Sequence, residues 1–124
     1  MPNDNWGTPR RVWEPLHLIH KFTIDAAADS SNHIVPRWFG PGGEREDAIE
    51  GPAWPSGETY WCNPPYSKGM QLAFVRKALE AAADGSKVVM LLPADTSTKL
   101  FHNYITHLPH EFIKGRIKFV GADQ

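Results

Sequence analysis

Val88, Val89, Met90, Leu91 and Leu92 form an unbroken apolar run, preceded by Lys87 and ended by Pro93. A strand with one wet face alternates apolar and polar residues, so a run without alternation needs cover on both faces, as in the centre of a parallel sheet. Proline has no N–H to donate to a ladder, which sets the end of the strand. Cover on both sides means helices, and the chain offers three. Leu72, Val75, Leu79 and Ala82 recur at three- and four-residue intervals with Arg76, Lys77 and Glu80 opposite, closing at Asp84-Gly85. Val12, Trp13, Leu16, Ile19 and His20 predict a helix from Pro9 to about Lys21, with Thr8 as N-cap, Pro9 at the first helical position and Pro15 inside. Leu100, Phe101, Tyr104, Ile105 and Leu108 mark another, capped near Asp95 or Thr96 and ended by Pro109.

Between these lie further short strands: Phe22-Thr23-Ile24 ending at Asp25, Thr59 to Cys62, Glu111 to Ile113 and Ile117 to Phe119. Strands alternating with helices predict a parallel α/β sheet with right-handed crossovers. The expectation is one domain over residues 1–124, with a loop-rich segment at 36–55 where many of the ten glycines and eleven prolines gather. A hydrophobic share of 41% and a formal charge of −1 exclude a disordered chain and a polybasic tail, while leaving room for a local basic stripe. The single cysteine, Cys62, can form neither an intramolecular disulfide nor a thiolate zinc site by itself, and it sits in a strand pattern that predicts burial. The six histidines show no tight metal spacing, so no metal site is assigned. No apolar run approaches the roughly 20 residues that span a bilayer, and residues 1–11 lack the pattern of a secretion signal. The expectation is a cytoplasmic monomer with no membrane contact.

In parallel sheets, ligands bind beyond the carboxyl ends of the strands. Two segments occupy such ends: Asp25-Ala26-Ala27 and Asn63-Pro64-Pro65-Tyr66. The second is chemically coherent. An exocyclic amine conjugated to a ring is a poor nucleophile, because its lone pair is delocalised. The side-chain oxygen of Asn63 and the carbonyl of Pro64 can each accept one of its N–H groups, favouring a pyramidal nitrogen with the lone pair directed outward. The prolines fix the loop before substrate arrives, and Tyr66 offers a flat face for stacking an extruded base. No general base with a raised pKa is needed, since the proton can leave after the nitrogen has become cationic.

These residues resemble the phage-type DNA N6-adenine methyltransferases, Dam-like enzymes whose motif is (D/N)PP(Y/W). The resemblance runs from about residue 6 to 120: Trp6-x-Thr8-Pro9, Ile24-Asp25-Ala26-Ala27-Ala28 with Asn32, the Asp47 and Trp54 segment, Asn63 to Tyr66, Leu91-Leu92-Pro93-Ala94, and Ile113 to Phe119. It implies a small Rossmann-like sheet that binds S-adenosylmethionine and methylates the N6 amine of a flipped adenine in DNA, within a bacterial or phage-infected cell. On that resemblance Thr8 and Pro9 line the methionine end of the cofactor, and Asp25, with Ala26 beside it, accepts from the cofactor's ammonium. Asp47 contacts its adenosine. Lys114, Arg116 and Lys118 lie near the DNA, where alternate cations on a strand can meet phosphates.

Two departures stand out. A glycine-rich turn after the first strand is absent, and the chain ends at Gln124, where the family continues into a further strand. The sheet is therefore expected to be incomplete at its C-terminus. This keeps open a truncated, non-catalytic prophage remnant, beside an enzyme of the same motif acting on RNA or on a protein glutamine. Each assigned residue also has a plainer reading: Asp25 and Asp47 as turn formers, Thr8-Pro9 as a helix start, and the basic stripe as a solvated edge.

Overall fold

The computed structural model describes residues 8–65, 67 and 69–92, together with the backbone of two strands at 110–113 and 116–119. In chain order the elements are α1 (Arg10–His20), β1 (Ile24–Asp25), β2 (Thr59–Cys62), α2 (Met70–Ala83), β3 (Lys87–Leu91), β4 (His110–Ile113) and β5 (Arg116–Phe119). They build one five-stranded sheet in the order β1-β2-β3-β5-β4. β1, β2 and β3 are parallel, with Ile24 opposite Tyr60 and Tyr60 opposite Val88. β5 runs antiparallel to both β3 and β4, so it has a neighbour on either side. The helix expected over 100–108 lies outside the described residues.

The apolar run behaves as its lack of alternation requires. Val88 and Met90 join one core with Tyr60, Cys62, Phe74, Val75, Ala78, Ala81 and Ala82, while Val89 joins a second with Trp61, Phe22, Val35 and Leu16. α2 covers the first face and α1 the second. The buried stripe of α2 is rotated from the predicted one: Val75 and Ala82 are buried as expected, but Phe74, Ala78 and Ala81 complete the face, and Leu72 and Leu79 are only partly buried at its flank. Alanines let the helix axis approach the sheet, whereas leucines at the centre would hold it off.

Thr8 does not cap α1. The N-cap position is Pro9, without a side-chain cap, and the Thr8 hydroxyl is used elsewhere. The helix runs through Pro15 and ends at Lys21, whose left-handed backbone lets its N–H donate to the His17 carbonyl; the Phe22 N–H then donates to His17 Nδ1.

Segment 36–55 contains no helix or strand, as predicted, yet it is part of the core. Phe39 and Trp54 are each 1% exposed, and the Trp54 indole donates to the Ala48 carbonyl. Isolated bridges pair Asp25 with Trp38 and Phe39 with Arg45, extending the pairing past β1. Arg45 donates to the carbonyls of Pro52 and Ala53, and Lys77 of α2 donates to those of Gly51 and Pro52. The segment is thereby held against the carboxyl ends of β1 and β2.

Candidate active site

β2 is central, flanked by β1 and β3, and leaves the sheet where Asn63 is followed by two prolines. Asn63 Nδ2 donates to Thr8 Oγ1 at 2.9 Å. Asn63 Oδ1 is buried and finds no donor among the described residues. Leaving a buried carbonyl oxygen unpaired costs about 1–3 kcal/mol, and buried polar groups are paired in the great majority of cases. An oxygen in this state at a strand end is free to accept from a donor that enters the site. Pro64 behind it is buried and Pro65 half-buried. Tyr66 lies outside the described residues.

One strand over, Asp25 ends β1 under the loop that follows. It is 3% exposed, and its carboxylate accepts from two backbone amides, Oδ1 from Ala27 at 3.2 Å and Oδ2 from Ile34 at 3.1 Å. Burial dominates and pushes its pKa up to about 7, the two amide hydrogen bonds opposing that shift without cancelling it. Burial also raises the Cys62 thiol, with the nearby Asp25 charge acting in the same direction. Ala26 is fully buried, and its amide donates to the Trp61 carbonyl, locking β1 to β2.

Between the two strand ends lies a cleft of about 190 Å³. Phe39, Phe74 and Ala48 form its buried apolar floor, Ala27, Ala28, Met70 and Pro65 its walls, and the exposed carboxylates Glu46 and Asp47 its rim. Whole small-ligand sites usually occupy about 300–1,000 Å³, so this cleft takes one end of a ligand. A flat apolar floor with carboxylates at the edge suits a heterocycle carrying a hydroxylated ring. Asp47 also closes a local turn, its Oδ1 accepting from the amides of Ile49 and Glu50.

The structure thus joins Thr8 to Asn63 and brings Asp47 to the same cleft as Pro65. Asp25, Ala26, Thr8 and Pro9 do not line that cleft. Lys114 lies outside the described residues, and Arg116 and Lys118 are placed only as alternate positions of β5. Phe39, Glu46, Met70 and Phe74 were not singled out from sequence. Met70 and Phe74 lie outside the stripe of Leu72, Val75, Leu79 and Ala82 expected for α2, and Phe39 and Glu46 sit in a segment without periodicity. Among the described residues, no His, Cys, Asp and Glu gather in a group able to hold a metal ion.

All of residues 1–124 match one protein-family model, that of DNA N-6-adenine-methyltransferase (Dam). The chain belongs to the DNA N-6-adenine-methyltransferase (Dam) family. A Dam-family relative, the DNA N-6-adenine-methyltransferase of Escherichia phage T1, is 35% identical over 99 residues, which is 79% of this chain and 39% of the relative. The chain therefore spans well under half the length of that relative. No solved structure matches it.

Proposed function

We propose that this chain transfers a methyl group from S-adenosylmethionine to the N6 amine of adenine in DNA. The observation that carries the reading is the buried, unpaired Oδ1 of Asn63 at the carboxyl end of a central strand. Membership in the Dam family supports it. The three parallel strands followed by an antiparallel pair support a Rossmann-like methyltransferase sheet.

Asn63 Oδ1 and the Pro64 carbonyl accept the two N–H groups of the amine and draw its nitrogen out of conjugation. Both acceptors are set in advance, so the barrier is lowered by placement rather than by proton abstraction. As the nitrogen–carbon bond formed, the donor's sulfur–methyl bond would break and leave a neutral thioether, and the amine's proton would pass to water once the nitrogen is cationic. Tyr66 stacks on the flipped base. The cleft fits the nucleoside end of the cofactor, with Phe39 and Phe74 under the ring and Asp47 or Glu46 toward the ribose hydroxyls. Pro9, Asp25 and Ala26 belong to the methionine end, whereas the Thr8 hydroxyl is taken by Asn63. When bound, the cofactor supplies the electrophilic methyl group. A cation beside Asp25 favours its ionised form, so donor affinity rises with pH through about 7. Lys114, Arg116 and Lys118 meet the phosphates. Replacing Arg116 and Lys118 together weakens DNA binding and lowers the salt slope by about 2. The setting is a bacterial or phage-infected cell, with a role in modification against restriction. Among the described residues no helix is long and apolar enough to cross a membrane.

The test is transfer of labelled methyl from S-adenosylmethionine to unmethylated DNA, with RNA and protein as parallel acceptors, followed by digestion and identification of the product. N6-methyladenine in DNA is expected. Label in RNA or glutamine moves the substrate, and no label anywhere with folded protein overturns the reading.

A further inference from the structure

The hydrogen bond between Thr8 and Asn63 joins residues 55 positions apart, the segment before α1 and the end of β2. A carboxamide has two ends of nearly equal size and opposite character: the NH2 donates and the oxygen accepts. Shape alone does not decide which end is turned to a ligand. Here Nδ2 is spent on the Thr8 hydroxyl, and Oδ1 is the atom left buried without a donor. Turning the amide over places both Nδ2 hydrogens at that buried position, two unmet donors in place of one unmet acceptor. It also points a donor at the place where an amine must be received.

We infer that Thr8 is a positioning residue: its hydroxyl accepts from Asn63 Nδ2 and so holds Oδ1 toward the N–H of the substrate amine. The inference rests on the proposed function for the identity of that amine, but the orientation itself belongs to the free protein. It differs from a contact between Thr8 and the methionine end of the cofactor, because it acts on the acceptor geometry instead of on donor affinity. It also has a symmetry consequence. A carboxylate presents oxygen at both ends, so in Asn63→Asp there is no orientation to choose and Thr8 loses this role.

The experiment uses the full chain carrying Thr8→Val, Thr8→Ser, Asn63→Asp and the Thr8→Val/Asn63→Asp pair, with kcat and donor KM for methyl transfer. The Asn63 side-chain amide is followed in parallel by nitrogen–proton NMR, assigned by its loss in Asn63→Asp. Thr8→Val is expected to lower kcat roughly ten- to a hundredfold with donor KM changed less than about threefold, and Thr8→Ser to restore it. In the Asn63→Asp background the Thr8→Val loss shrinks to less than about threefold. The Asn63 amide signal moves toward its solvent-exposed position in Thr8→Val and stays in place in Thr8→Ser. An unchanged kcat in Thr8→Val, an equal loss in both backgrounds, or an effect confined to donor KM overturns the inference. So does an Asn63 signal indifferent to Thr8→Val. That signal decides even where no variant turns over, whereas absence of methyl transfer by the wild-type protein overturns the proposed function alone.

Discussion

Two neighbouring strand ends each carry buried polar atoms, and in opposite states. At the end of β1, both oxygens of Asp25 are paired with amides of the loop above it. At the end of β2, Asn63 spends its NH2 on Thr8, and its oxygen has no donor among the described residues. Both sites lie beyond parallel strands, and both residues were candidates on sequence. The difference is what each does before any ligand arrives. Asp25 organises the loop, and its titration is displaced because its charge is buried; Asn63, on the proposed function, holds an acceptor in readiness.

The sharpest way to break this comparison is Asn63→Ala. Methyl transfer should fall by roughly 100- to 1,000-fold, the loss typical of removing one preorganised hydrogen-bonding group, while thermal unfolding stays near wild type. A variant that unfolds early but turns over normally when folded would reverse the roles of the two strand ends.

Asp25 should show its effect in stability and its pH dependence. The folded protein holds the Asp25 proton to about pH 7, whereas an unfolded carboxyl releases it near 3.8. Stability from this group is thus fully present below the unfolded value, declines as pH rises between the two, and is level above the folded value. The decline amounts to at most about 4 kcal/mol. Denaturant unfolding across that range should show the slope in wild type and in Asn63→Ala and lose it in Asp25→Asn. A slope that survives Asp25→Asn assigns it to another group.

The smallest change is Gly40→Ala. Gly40 has φ +137, and a Cβ there would sit 1.7 Å from the Ala28 carbonyl oxygen, a backbone atom that cannot swing aside. The expected loss is about 1–3 kcal/mol, with the loop after β1 displaced from the cleft. Measured by urea unfolding, a neutral result would show that the loop on the Asp25 side yields more readily than its hydrogen bonds imply.

Much of this was legible in one dimension. The run from Val88 to Leu92 required helices on both faces, the double proline ended β2 where the ladder ends, and Asn63 followed by prolines pointed to the chemistry proposed. The reading of α2 was rotated because periodicity counts apolar residues equally, whereas packing against a sheet selects the small ones. Segment 36–55 was read as loop, and it is one, but its burial of Phe39 and Trp54 and its contribution of Glu46 and Asp47 to the cleft leave no periodic trace. Thr8 was read as a helix cap because capping is the local use of a threonine hydroxyl; here a partner 55 residues away takes it.

Local sequence determined the elements, the covered sheet and the residue types at the strand ends, because these follow from the period of the apolar pattern and from the missing N–H of proline. The tertiary structure decided which polar atoms are satisfied. Hydrogen bonding is a tally over groups brought together from distant parts of the chain, and only folding shows that, among the described residues, Asp25 is paired on both oxygens and Asn63 on its nitrogen alone.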